Sequence, residues 1–125
     1  MKITDAGDFS LEIDYRHESA GWIDCYITFD GVCHLIYASD VFPPFQNLLN
    51  LALAIAAQRL PYAFYWDEEG YGAKISAWPV SDDSQFFRLK IWHDREETYW
   101  IDAELDRMAV TEVILAALRD FVLYA

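Results

Sequence analysis

The stretch VFPPFQNLLNLALAIAAQRLPYAFYW, residues 41–66, changes its hydrophobic period twice. Ahead of it apolar and polar residues alternate, as a half-buried strand requires. Past Pro43 and Pro44, which suit the start of a helix, Phe45, Leu48, Leu49, Ala52, Leu53, Ile55 and Ala56 recur at helical spacing, predicting a helix over 45–59. Before its terminal Arg59, Gln46, Asn47, Asn50 and Gln58 supply what polarity there is, so it is expected to be covered on more than one side. Pro61 stops it, and strand character resumes at Tyr62.

Upstream, Phe9, Leu11, Ile13 and Tyr15 alternate with Ser10, Glu12, Asp14 and Arg16 in a first strand over 9–16. Residues 22–29 and 32–38 form a hairpin about Asp30-Gly31, a strong two-residue turn signal. Downstream, 62–67 and 71–78 flank Glu68-Glu69-Gly70, read as a three-residue loop that sets Tyr65 opposite Ala73. Pro79 and residues 81–84 make a loop. Strands over 85–93 and 97–103 follow, joined through Asp94-Arg95-Glu96. A second helix, about 106–123, carries Val110, Ile114, Ala117, Leu118 and Phe121 on one side and Glu112, Arg119 and Asp120 on the other. The order βββαββββα predicts an α+β fold: one curved antiparallel sheet of about seven strands, two helices on one face, and a single domain over 1–125.

Composition narrows the function. Against 9 basic residues stand 21 acidic ones, a net charge of −12. Phosphate-backbone binding draws on positive charge, so nucleic acid is not an expected partner, and neither is an anionic membrane. No apolar run approaches the length that spans a bilayer, and the first ten residues lack the apolar core of a signal peptide. A cytoplasmic protein is the expectation. The hairpin register sets Cys25 opposite Ile36 and Cys33 opposite Thr28, on opposite faces, which excludes a disulfide between them. Both thiols are expected to be free and buried.

No catalytic or metal motif stands out. His17, His34 and His93 are isolated, with no HxH, HExxH or CxxC spacing, so neither a metal nor a cofactor is expected. His34 reads as a core histidine. His93 and Asp94 are neighbours on a strand and point to opposite faces, which argues against a catalytic pair. The cysteines lack a basic flank to activate them. A non-enzymatic protein is the expectation.

The unusual feature is aromatic. If the helices cover one face, Ala63, Tyr65, Ala73, Ile75 and Ala77 suit that inner side, as do Phe87, Leu89, Ile91, Tyr99, Ile101 and Ala103. The outer, helix-free face then collects Tyr62, Phe64, Trp66, Trp78, Phe86, Trp92 and Trp100, with Lys74, Arg88 and Lys90 among them. Trp22 is also assigned outward, so all five tryptophans land on that face. Three readings compete: aromatic pairs that hold the sheet together, an interface with a partner protein or a second copy, and a cupped groove for a small ligand or substrate. Asp67, Glu68 and Glu69 form an acidic turn that reads either as a solvated turn or as a docking point for a cationic partner. Acidic charge with aromatic anchors suits a protein that binds a basic partner. In charge and size alone the chain is similar to immunity proteins that block cationic toxins.

Overall fold

The computed structural model describes residues 2–3, 9–14, 22–81 and 83–124. Tyr15, Arg16, His17 and Asp82 lie outside them. The fold is α+β, in the order β1 (Lys2–Ile3), β2 (Ser10–Asp14), β3 (Trp22–Phe29), β4 (Val32–Ser39), α1 (Phe45–Ala56), β5 (Tyr62–Asp67), β6 (Gly72–Val80), β7 (Asp83–His93), β8 (Thr98–Asp106) and α2 (Arg107–Tyr124). Strand β1, too short to show a period in the sequence, lies parallel to β8. The seven strands read from the sequence are all present, but divided between two sheets: β2-β3-β4, and β1-β8-β7-β6-β5.

The edges of the two sheets meet at Tyr37. Its N–H donates to Glu68 Oε2 at 3.0 Å, and its carbonyl accepts the Trp66 indole N–H at 3.0 Å. Side chains of β5 and its turn thus stand where a neighbouring strand's backbone would, satisfying the open edge of β4.

Two features end and begin the helices. Arg59 N–H bonds Ala54 C=O at 2.9 Å and Gln58 N–H bonds Ile55 C=O at 3.3 Å, with Gln58 at φ 58°. This is a Schellman motif with glutamine where glycine is usual, and it closes α1 before Pro61 is reached. At α2, Asp106 Oδ1 accepts the Ala109 N–H at 2.9 Å, a side-chain N-cap.

One core joins all the layers. Cys25, Ile27 and Ile36 of the small sheet, Ile75, Leu89, Ile91 and Ile101 of the large one, Leu48, Leu51 and Ile55 of α1, and Val110 and Ile114 of α2 form a single buried cluster. Each such aliphatic side chain gains about 1.5–3 kcal/mol on burial. Helix α1 is covered over most of its circumference, with Leu48, Leu51, Ala52, Ala54 and Ile55 buried, and exposes one stripe of Gln46, Asn50 and Leu53, the last at 52 %.

Candidate functional site

The helix-free face of the larger sheet takes its content from two local irregularities. The first is the β5–β6 turn. Tyr62 pairs with Ala77 and Asp67 with Gly72, so the connection holds four residues, Glu68 to Tyr71, not three. Glu68 N–H bonds Tyr71 C=O at 2.8 Å, Asp67 Oδ1 accepts Glu69 N–H at 2.7 Å, and Glu69 and Gly70 take positive φ. Gly72 is required by close approach, since a Cβ there would lie 1.9 Å from the Trp66 carbonyl oxygen. A one-residue change of register reverses every side chain of a strand. Tyr62, Phe64 and Trp66 therefore turn inward, Trp66 at 0 % exposure, while Ala63 and Tyr65 face out. The outward assignment of those three aromatics is corrected.

The second irregularity is a bulge in β8. Ile91 pairs with Ile101 but Trp92 pairs with Tyr99, leaving Trp100 as the extra residue. Tyr99 moves to the outer face and Trp100 to the interior, the reverse of the sequence expectation. Trp100 stacks between His34 and His93, each with a centroid separation of 4.4 Å, and its N–H donates to Glu96 Oε2 at 2.9 Å. Phe86 keeps its outward register yet is buried, at a cleft with Leu60, Pro79, Val80 and Arg107. Cys25 is buried as expected, but Cys33 is exposed on the other face; both are free.

Trp78, Arg88, Lys90, Trp92 and Lys74 do share the outer face. Cross-strand pairing aligns Tyr65, Lys74, Trp92 and Tyr99 in one row, Ala63, Ser76, Lys90 and Asp102 in the next, and Trp78, Arg88 and Glu104 in a third. Trp92 and Tyr99 meet edge to face at 4.8 Å. Trp78 is 40 % exposed, bonded through its N–H to Ser76 Oγ at 2.9 Å, with the Lys90 ammonium 5.8 Å from its ring. Arg88 Nε lies 2.7 Å from Asp102 Oδ1.

An acidic end borders the first row. Asp94 N–H bonds Gly72 C=O at 2.9 Å, which holds the β5–β6 and β7–β8 turns side by side. Asp94 and the half-buried Asp67 lie beside Tyr65, with Glu69 and Glu97 exposed in the same two turns; Glu96 instead accepts the inward Trp100 N–H. The Tyr65 hydroxyl donates to Asp94; partial desolvation, that bond and the nearby carboxylates push its pKa up to about 12.

Glu68 does not belong to this rim. It turns inward, its Oε1 2.9 Å from His93 Nε2, with both side chains almost wholly buried. The solvated-turn and docking readings of Glu68 are both corrected. Sequence reading missed this pair, whose members are 25 residues apart. His93 and Asp94 do point apart: one is buried with Glu68, the other bonds Tyr65. Burial, then Asp24 and Glu68, push the Cys25 thiol far up, so it holds its proton.

Among the described residues no group of three or more His, Cys, Asp or Glu is placed to hold a metal ion, and no helix is long and apolar enough to cross a membrane. No protein-family model, curated protein or solved structure matches this chain.

Proposed function

We propose that the chain is a non-enzymatic binding protein that docks a basic protein partner on the Tyr65–Lys74–Trp92–Tyr99 row and the carboxylates beside it. The observation that carries this reading is the adjacency of exposed aromatic rings to Asp67 and Asp94, at the end of the sheet where the turns also bear Glu69 and Glu97, on the face that no helix covers. Arginine and lysine of a partner bind both groups: their planes and ammonium heads seat over aromatic rings, and carboxylates pair with them at the rim. The net charge of −12 speeds encounter with a cationic surface, while aromatic anchors slow release. Inhibition of a basic protein, as immunity proteins perform, is one form this takes. The protonated, buried thiol of Cys25 and the inward-turned Glu68–His93 pair support binding over catalysis.

The test uses immobilised Lys- and Arg-rich peptides with acidic counterparts as controls, at low and moderate salt. Retention on basic peptides that is lost in Trp92→Ala/Tyr99→Ala, with an unchanged melting curve, supports the reading. Retention that follows salt alone and ignores both substitutions sinks the aromatic part of it.

A further inference from the structure

The two helices pack antiparallel, with Phe45 near the start of α1 stacked on Phe121 near the end of α2 at 4.8 Å. On their solvent side an open apolar groove of about 480 Å³ runs between Phe45 and Leu49 of α1 and Leu115, Leu118 and Val122 of α2. From Phe45 to Ala56, α1 carries no charge at all.

The outward stripe of α2 has a pattern of its own. Met108, Glu112, Leu115, Arg119 and Val122 are all exposed, with Met108 at 46 %, Leu115 at 37 % and Val122 at 73 %. Spaced by three and four residues, they share one side of the helix. Reversed about Leu115, Met108 falls on Val122 and Leu115 on itself, while Glu112, three residues before it, and Arg119, four after it, come within one residue of each other, about 1.5 Å along the axis.

We propose that this stripe is an isologous contact with a second copy of the chain, α2 lying antiparallel to its counterpart about a two-fold axis near Leu115. In such a contact residue i meets j while j meets i. Met108 then meets the partner's Val122, Leu115 meets the partner's Leu115, and Glu112 pairs with the partner's Arg119 on both sides of the axis. The charge distribution favours this occupant. Copies carrying −12 repel one another, so self-association needs a face that is nearly neutral or self-complementary. The helix side is both, with a charge-free α1 beside a stripe whose two opposite charges come within reach of each other across the axis. Arg119 is now held by Asp120 at 3.1 Å in an exposed pair, which contributes little and leaves it able to re-pair. An anionic membrane is disfavoured by the same negative charge. This surface is separate from the sheet face proposed for the basic partner, so each stands or falls alone.

Sedimentation velocity on the full chain tests it. The expected result is a concentration-dependent species of twice the 14.5 kDa chain mass. Glu112→Arg alone and Arg119→Glu alone set like charges face to face and shift the population to monomer, whereas Glu112→Arg/Arg119→Glu restores the dimer. All these side chains are exposed, and unchanged circular dichroism melts verify that the variants fold. A wild-type chain that stays monomeric at every concentration overturns the proposal. So does a dimer indifferent to the single reversals, which places the contact elsewhere, or a double reversal that fails to restore it.

Discussion

The carboxylate of Glu68, in the turn after β5, meets the imidazole of His93, at the end of β7, at 2.9 Å in a nearly water-free site. The other Glu68 oxygen accepts the Tyr37 N–H, so one side chain ties the turn to both sheets. Removing Glu68 leaves both His93 Nε2 and the Tyr37 N–H without their partner, at about 1–3 kcal/mol for each buried polar group. Against a total stability of about 5–15 kcal/mol, that is a large fraction. Glu68→Ala should lose this much in a denaturant titration. Glu68→Gln keeps an acceptor for Tyr37 and a bonding group for His93, and should lose less. Small and equal losses would show that the pair contributes little.

Trp66 and Trp78 should respond in opposite ways to the same substitution. Trp66 is fully buried and donates to the Tyr37 carbonyl, so Trp66→Ala leaves a cavity and a stranded acceptor, at about 3–5 kcal/mol. Trp78 is partly exposed and touches Ser76 and Lys90, so Trp78→Ala should cost less than about 1 kcal/mol. Thermal melts separate the two. A strongly destabilised Trp78→Ala would make that side chain structural and weaken the case for the sheet face as a binding surface.

That contrast marks where sequence reading succeeds and where it stops. Fold class and element order follow from apolar spacing, which changes between two and three-to-four residues at Phe45 and back at Tyr62. The first hairpin was legible because Asp30-Gly31 permits one tight turn, and both residues adopt positive φ. The second was not. Glu68-Glu69-Gly70 fits a three-residue loop as well as part of a four-residue one, and that single residue moves Tyr62, Phe64 and Trp66 from water to the core. No glycine or proline announces the β8 bulge that exchanges Tyr99 and Trp100. Glu68 looks like any turn carboxylate, since its partner across the fold is visible only once the strands are paired.

Gln58 offers a gain in stability. It holds the left-handed position that ends α1, at φ 58°, where a Cβ adds strain that glycine avoids. Gln58→Gly should raise the unfolding free energy by about 1 kcal/mol, somewhat offset by the greater freedom glycine gives the unfolded chain. Chemical denaturation reads the change. A loss would mean that the glutamine side chain supports the cleft with Leu60 and Arg107 that it helps to line.

His34 should make stability depend on pH in the weakly acidic range. Its ring stacks on Trp100, and desolvation there, with His93 nearby, lowers its pKa from 6.5; Glu96 opposes the shift only in part. The unfolded chain therefore takes up a proton at a pH where the folded chain still resists it. Stability rises with pH wherever the unfolded state binds more protons. The His34 contribution is complete above the unfolded pKa of about 6.5, declines as pH falls toward the lowered folded value, and levels off beneath it. Denaturation midpoints followed downward from neutral pH should drop in the wild type by more than in His34→Gln, the difference between them isolating this group from the carboxylates. Parallel curves would show that the stacked imidazole accepts its proton as readily in the fold as outside it.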